Sequence, residues 1–106
     1  MDDLFICDEW KIELKLQDEN DQPLDLTGKN LFFLLAQDLK NKTQIQQSFN
    51  IDPDPTTGIA TIEIPEETTS KVSSGLNWVC FILDESGAEK TIFQERIQIK
   101  TRLKKI

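Results

Sequence analysis

Side chains able to perform chemistry are few in this sequence, and they are mainly carboxylates and two thiols. The 106 residues contain no His, 19 Asp and Glu, and two cysteines, Cys7 and Cys80. Without His, the sequence excludes a Ser-His-Asp triad, a Cys-His pair and the histidine-based sites of zinc proteases and iron oxygenases. Catalysis would have to come from carboxylates, Lys, Ser, Thr or Cys.

The carboxylates are spaced as turn and surface residues rather than as an acid–base pair. Glu95 is the exception, because it interrupts the apolar phase of Phe93, Ile97 and Ile99 and could point inward. A β-bulge or an edge position, which resets the alternation, explains Glu95 better than a catalytic role. A domain of this length also has little material for a deep pocket. We therefore predict that the protein is not an enzyme.

Two oxygen-rich segments, residues 18–21 and 52–54, raise the question of a calcium site. An EF-hand loop counted from Asp18 needs Gly at its sixth position and Glu at its twelfth, but these positions hold Pro23 and Lys29. Ordinary turn chemistry accounts for both segments, and a looser surface site is the alternative. No phosphate-binding glycine motif and no nucleophile-elbow motif occurs. The sequence predicts no metal and no cofactor.

The two cysteines and the N-terminus indicate the compartment. Cys7 and Cys80 are isolated, so we expect two free thiols that serve as small buried apolar side chains, with a disulfide as the alternative. The N-terminus lacks the basic and apolar regions of a signal peptide. No stretch approaches the roughly 20 apolar residues of a membrane span. We expect synthesis in the cytoplasm.

Charge is abundant and unevenly distributed. The formal net charge is −7, from 12 Lys and Arg against 19 Asp and Glu. Such a surface repels phosphate backbones and anionic lipids, so we predict neither a nucleic-acid nor a membrane partner. Residues 100–106 nevertheless carry four of the 12 basic side chains. Lys104 and Lys105 in this segment are candidate contacts to an acidic neighbour, such as another copy, with a solvated, frayed terminus as the alternative.

Strict alternation of apolar and polar residues dominates the chain and is typical of half-buried strands. Residues 10–17 are apolar at every even position, and turn-rich segments occupy 18–23, 52–58 and 84–87. A single helical turn is predicted at 65–69. About seven strands, with turns roughly every 8–14 residues, predict an all-β fold, an antiparallel two-sheet immunoglobulin-like β-sandwich.

Length and composition limit this fold to one unit. A chain of 106 residues with 38% hydrophobic residues can build one core and no more. We predict one domain over 1–106, with its core at about 8–100 and a basic C-terminal tail at 100–106.

Two predicted strands, residues 30–36 and 76–83, are apolar on both faces. A two-layer fold needs only one apolar face per strand. The second face therefore predicts a contact surface for another protein, with cover by a loop or a crossing strand as the alternative. The residues assigned to this surface are Phe32, Leu34, Val79 and Phe81.

Several segments, taken in order, resemble a known family. They lie at 10–14, 23–28, 58–62, 65–69 and 75–78, and a hairpin turn at 84–87 follows. This order resembles the small immunoglobulin-like domain at the N-terminus of phage baseplate upper proteins, which recurs in short prophage structural proteins. The most characteristic part is Leu-Asp-Leu-Thr-Gly. In it, Asp25 and Thr27 can bond backbone groups at a bend, and Gly28 can take the positive φ that such a bend often needs.

The resemblance implies a structural role, in which such domains form symmetric rings or attach virion parts to one another. Its implied partners are the protein itself, as a homo-oligomer, and other virion proteins, and its final location is the virion. Many relatives carry a longer C-terminal region. Because this chain ends after the sandwich, we expect a small assembly or connector protein rather than one that carries a host receptor.

Two functions from different classes follow. The first is a non-enzymatic structural or assembly protein of a phage or prophage tail or baseplate, acting through protein–protein contacts. The alternative is a carbohydrate- or ligand-binding β-sandwich that uses turn acids and Trp10 or Trp78. Sugar sites usually display exposed aromatic rings, whereas both tryptophans lie at apolar positions of the strand alternation, where we expect buried rings.

Overall fold

The alternating segments of this chain form β-strands in a computed structural model, which describes residues 3–40 and 42–103. In this part of the chain the strands are β1 (Leu4–Ile6), β2 (Trp10–Lys15), β3 (Lys29–Ala36), β4 (Ile45–Ser48), β5 (Asn50–Ile51), β6 (Ile59–Ile64), β7 (Gly75–Glu85) and β8 (Ala88–Thr101). A 3₁₀ turn spans Pro55–Thr57, and a one-turn helix, α1, spans Glu66–Thr69. The helical turn predicted at 65–69 is confirmed.

The strands form two sheets. Sheet A has the order β1-β8-β7-β3-β4, and sheet B has the order β2-β6-β5. The pairings of these strands are antiparallel except that of β1 with β8, which is parallel and places Leu4 opposite Ile99. The prediction of an all-β fold in two sheets is confirmed. The short parallel strand β1 was not predicted, because three residues carry too little alternation to be recognised.

The core lies between the two sheets and is built from the inward-facing residues of both. Every second side chain of β3 and of β6 is essentially buried: Leu31, Phe33, Leu35, Ala60, Ile62 and Ile64. The ring of Phe81 lies at the centre of an aromatic cluster, with centroid distances of 4.8 Å to Phe93, 5.5 Å to Phe49 and 6.0 Å to Phe33. Full burial of such side chains stabilises the fold by about 1.5–3 kcal/mol each.

A buried amide fixes the start of β7. Asn77 is fully buried, and its Nδ2 donates to the carbonyl oxygens of Ser73 (3.0 Å) and Gly75 (3.1 Å). Its Oδ1 accepts from Nε2 of Gln44 at 2.9 Å. Because a buried amide without partners would destabilise the fold, these bonds bind the entry of β7 to the segment before β4.

Turn chemistry positions the strands as the sequence predicted. The carboxylate of Asp25 accepts from the backbone N–H (2.9 Å) and the hydroxyl (2.6 Å) of Thr27, and Gly28 has φ +73°. At the other predicted turn, Gly58 has φ +71° and lies so close to the backbone of Leu16 that a Cβ would collide with its carbonyl oxygen. Neither helical segment in the described residues is long or apolar enough to cross a membrane.

Candidate functional site

The outer face of sheet A, which points away from the core, carries an apolar stripe two strands wide. Three cross-strand pairs of β3 and β7 form this outer stripe: Phe32 with Ile82, Leu34 with Cys80, and Ala36 with Trp78. All six residues are half-buried, whereas the inward-facing residues between them are buried: Phe33, Leu35, Val79 and Phe81. The outer stripe is therefore apolar surface that the two-sheet core does not use.

Polar residues of the neighbouring strands border the outer stripe. On β4, Ser48 lies opposite Phe32 and Gln46 lies opposite Leu34. On β8, Arg96 lies opposite Trp78, with its guanidinium carbon 5.8 Å from the indole centroid, a cation–π distance. An apolar centre with a polar border is the arrangement found in protein–protein interfaces.

A shallow pocket of about 260 Å³ lies over the outer stripe, and five of the six stripe residues line it. Leu34, Trp78 and Leu39 are among its lining residues. Leu39 is 62% exposed, an unusual state for a large apolar side chain. The pocket extends the apolar surface onto the segment between β3 and β4.

The predicted contact residues divide between the two faces of sheet A. Phe32 and Leu34 lie on the outer stripe. The placement of Val79 and Phe81 on the same surface is wrong, because they are 0% and 3% exposed and belong to the core. They lie opposite Leu35 and Phe33, and residues directly opposite each other share a face. Lys104 and Lys105 lie outside the described residues.

The register of β7 against β8 shifts by one residue. Between β7 and β8 the register changes at Phe81/Ile82: Phe81 lies opposite Phe93 but Ile82 lies opposite Thr91, which leaves Ile92 as the extra residue of a bulge. Without the bulge, Phe93 would lie opposite Cys80 and Gln94 opposite Val79, so the apolar phase of β8 would indicate the wrong face of β7 as the inner one. Since the side-chain period of a strand is two, one inserted residue exchanges the faces of β8 beyond Ile92, while the faces of β7 are unchanged.

Trp78, Cys80 and Ile82 are members of the outer stripe that the sequence did not predict. Both faces of residues 76–83 are apolar, so alternation cannot tell which face is buried. The apolar positions of β8 could have indicated which face of β7 is buried, because the two strands pair. Using them requires knowing that Ile92 is an extra, unpaired residue. The bulge lies at Ile92 and not at Glu95. Glu95 is exposed and lies opposite Val79, on a part of β8 that β1 does not cover. Of the two explanations predicted for Glu95, a bulge or an edge position, the edge position applies.

The beginning of the basic tail is bound to the N-terminal segment. The guanidinium of Arg102 bonds the carboxylate of Asp8 at 2.6 Å and the carbonyl oxygen of Cys7 at 3.1 Å. The ammonium of Lys100 bonds the carboxylate of Asp3 at 2.8 Å. Two of the four basic side chains of the tail thus stabilise the parallel pairing of β1 and β8.

The thiols and acids of the described residues show no grouping for chemistry. Cys7 and Cys80 are both free and half-buried. Burial raises the pKa of the Cys80 thiol, and its hydrogen bond with Thr91 offsets only part of this effect. Since the thiolate is the nucleophile, burial makes this thiol less reactive.

The acids of the predicted turns bond their own backbone. Oδ1 of Asp18 accepts from the N–H groups of Asn20 (2.8 Å) and Gln22 (3.0 Å), and Oδ2 of Asp52 accepts from the N–H of Asp54. Within residues 3–40 and 42–103, no group of three Cys, Asp or Glu side chains that could hold a metal ion comes together. These carboxylates have the turn role that the sequence predicted for them.

Comparison with known proteins identifies the family of this chain. The solved structure of the N-terminal domain of phage TP901-1 ORF48 is similar over 95% of this chain and 83% of its own length, with a TM-score of 0.55 and 19% identity, which establishes a likeness of fold. No curated protein matches the chain. The family described as the BppU N-terminal domain matches residues 9–77. The chain therefore belongs to this family, the N-terminal domains of phage baseplate upper proteins.

Proposed function

We propose that this protein is a non-enzymatic structural module of a phage or prophage tail or baseplate, which acts through protein–protein contacts with itself or with other virion proteins. Membership of the baseplate upper protein family supports a phage structural role and association with the virion. The observation that carries the proposal is the outer stripe on sheet A, because it is apolar surface that the fold itself does not need.

The composition of the outer stripe suits a protein partner. Phe32, Trp78 and Arg96 are of the residue types that are enriched in the energetically important centres of interfaces. Each apolar side chain there is half-buried, so cover by a partner would remove further apolar area from water.

The fold inference goes with this proposal. We infer that the two sheets form a variant of the immunoglobulin-like sandwich and that the chain is one domain with its core at about 8–100. The continuous core between sheets A and B and the likeness to a phage domain over 95% of the chain support this inference.

The structure does not favour the alternative of a carbohydrate- or ligand-binding module. Trp10 is 2% exposed, and its indole N–H donates to the carbonyl oxygen of Phe5 at 2.8 Å. A buried ring cannot stack on a sugar. Trp78 is left as a single half-buried ring that already contacts the guanidinium of Arg96.

The outer stripe is tested by incorporation into phage particles. In the strain that encodes the protein, the wild-type chain is replaced by Leu34→Lys or Ile82→Lys, and purified particles are analysed by quantitative mass spectrometry. Thr61→Lys is the matched control, because Thr61 is exposed on sheet B, away from the outer stripe. We expect the wild-type chain and the control in the particles and the two stripe variants to be depleted at least about tenfold.

Two outcomes contradict the proposal. Absence of the wild-type chain from particles, while it is folded and present in the cell, contradicts the structural role. Equal incorporation of the wild-type chain and both stripe variants contradicts the assignment of the contact to the outer stripe. Circular dichroism of each purified variant separates lost contact from lost folding.

A further inference from the structure

One side of the molecule is open between β2 of sheet B and β8 of sheet A. In the described part of the chain, β2 pairs with β6 alone, and β1 covers β8 at residues 99–101 only. A groove of about 470 Å³ runs along this open side. Its walls are mainly apolar and include Ile12, Leu14, Phe81 and Phe93.

The inward-facing side chains of β2 are incompletely covered at this groove. Ile12, Leu14 and Leu16 point toward the core but are only half-buried. Ala60 and Ile62, which lie opposite Leu14 and Ile12 on β6, are buried. Sheet B therefore ends one strand short of covering its own apolar residues.

The backbone of β2 is also open on this side. The N–H of Leu16 donates to the carbonyl oxygen of Gly58 at 2.8 Å, which sets the phase of the antiparallel ladder. Even-numbered residues of β2 bond β6, and the N–H and C=O groups of odd-numbered residues point the other way. Lys11, Glu13 and Lys15 consequently present backbone donors and acceptors at the open edge, and their side chains are exposed.

The charges along this edge alternate in sign. Four exposed residues carry these charges, negative and positive in turn: Glu9, Lys11, Glu13 and Lys15. If a second copy of β2 lies antiparallel about a two-fold axis through Ile12, Lys11 lies opposite Glu13 of the second copy, and Glu9 lies opposite Lys15 of the second copy. Every charge then meets its opposite.

Other registers lack this property. A two-fold axis through Glu13 places Lys11 opposite Lys15 of the second copy and Glu13 opposite itself. Parallel pairing in register places every charge opposite its like. An axis through Trp10 or Leu14 pairs only two of the four charges with an opposite charge. Because opposite charges directly across a strand pair stabilise it and like charges destabilise it, the charge pattern favours the axis through Ile12.

We propose that β2 is a self-association edge, where a second copy of this chain adds its own β2 antiparallel about a two-fold axis through Ile12. In this register odd-numbered residues face odd-numbered residues, so their open N–H and C=O groups bond each other. Ile12 faces Ile12 of the second copy at a position without hydrogen bonds, where side chains approach most closely. The apolar residues of the two copies then cover the open groove.

The other edges of the sheets are less suited to strand addition. On the open side of β8, the bulge at Ile92 and the inward-phase Glu95 interrupt a regular edge. Both devices are known to block strand pairing. Strand β5 offers two residues, β1 three and β4 four, against the six of β2. The ion pair of Lys15 with Glu13 spans 3.8 Å between exposed groups and is weak enough to exchange for pairs across the axis.

This self-association edge is separate from the outer stripe and goes beyond the proposed function. Its test uses sedimentation equilibrium of the purified full chain at low ionic strength, with Lys11→Glu, with Glu13→Lys and with both substitutions together. Each single substitution turns two attractive pairs into repulsive ones, so we expect dimer dissociation constants at least about tenfold higher than that of the wild type. The double variant restores every opposite pair and associates as the wild type does.

A mixture of the two single variants tests the proposed register most directly. In a complex of the Lys11→Glu chain with the Glu13→Lys chain, all pairs across the axis are again of opposite sign. We expect the equimolar mixture to dimerise although each variant alone does so poorly. Lys71→Glu is the control for Lys11→Glu, because Lys71 is exposed outside β2 and this substitution changes the net charge by the same amount and sign.

Three outcomes overturn the self-association edge. The first is a wild-type chain that stays monomeric at all concentrations. The second is a pair of single variants that dimerise as the wild type does. The third is that neither the double variant nor the mixture of single variants regains dimerisation. If Ile82→Lys abolishes dimerisation while the β2 variants do not, the edge is refuted and the proposed function of the outer stripe stands. Thermal unfolding of each variant confirms that these exposed substitutions leave the fold intact.

Discussion

The two faces of β3 and β7 have nearly the same composition but opposite roles. On the inner face Phe81 touches three other phenylalanine rings and is 3% exposed. On the outer face Phe32 lies between Ile82 and Ser48 and is half-buried. The difference teaches that apolar character in a strand does not by itself indicate core, because cover by the second sheet decides which face is dry.

The largest effect expected from this comparison concerns the two phenylalanines. Phe81→Ala leaves a cavity within the aromatic cluster and is expected to lower the free energy of unfolding by about 3–5 kcal/mol. Phe32→Ala on the outer face is expected to lower it by about 1 kcal/mol or less. Urea denaturation followed by circular dichroism measures both, and equal losses would contradict the assignment of the two faces.

The two tryptophans offer a spectroscopic version of the same comparison. In Trp78→Phe the remaining Trp10 is buried, and in Trp10→Phe the remaining Trp78 is on the outer face. We expect iodide to quench Trp78 several-fold more strongly than Trp10, because only the outer ring meets the quencher. Trp10→Phe also removes the indole bond to Phe5, so its folding is checked by circular dichroism before quenching is compared.

The Cys80 thiol shows that the outer stripe is only partly open to water. Burial raises its pKa, so the native thiol holds its proton to a higher pH than the thiol of the unfolded chain. Its contribution to stability is present below the unfolded pKa and is lost as the pH rises through the folded pKa. We expect alkylation of Cys80 in the Cys7→Ser variant to be slower in the native than in the urea-unfolded chain at pH 8, and equal rates would contradict this burial.

The smallest effect is expected away from both faces, at the bend before β3. The hydrogen bonds from the hydroxyl and the N–H of Thr27 lower the pKa of the Asp25 carboxyl. A depressed pKa stabilises the fold above the unfolded pKa, and this contribution is lost as the pH falls through the folded value. We expect Asp25→Asn to weaken the acid dependence of the melting temperature slightly, below pH 4. An unchanged acid dependence would show that the bend is held by other contacts.

Much of the local structure could be predicted because its causes are local. The alternation of β2, the one-turn helix after Pro65 and the bend at Asp25 and Gly28 each depend on residues within a few positions of one another. The family resemblance, now confirmed over residues 9–77, was carried by the same turns. The open side beside β2 was not predicted, since which strand lies at a sheet edge depends on pairing between distant segments.

What the sequence by itself determined is therefore the kind of structure: strands, their turns, and more apolar faces than two sheets can bury. Only the tertiary structure decided which apolar face of β3 and β7 became the core, because sheet B covers the face that carries Phe33 and Phe81 and leaves the other face uncovered. The tertiary structure also decided that β2 is an edge strand of sheet B. Alternation is a property of one strand, whereas burial and edges are properties of how strands are paired.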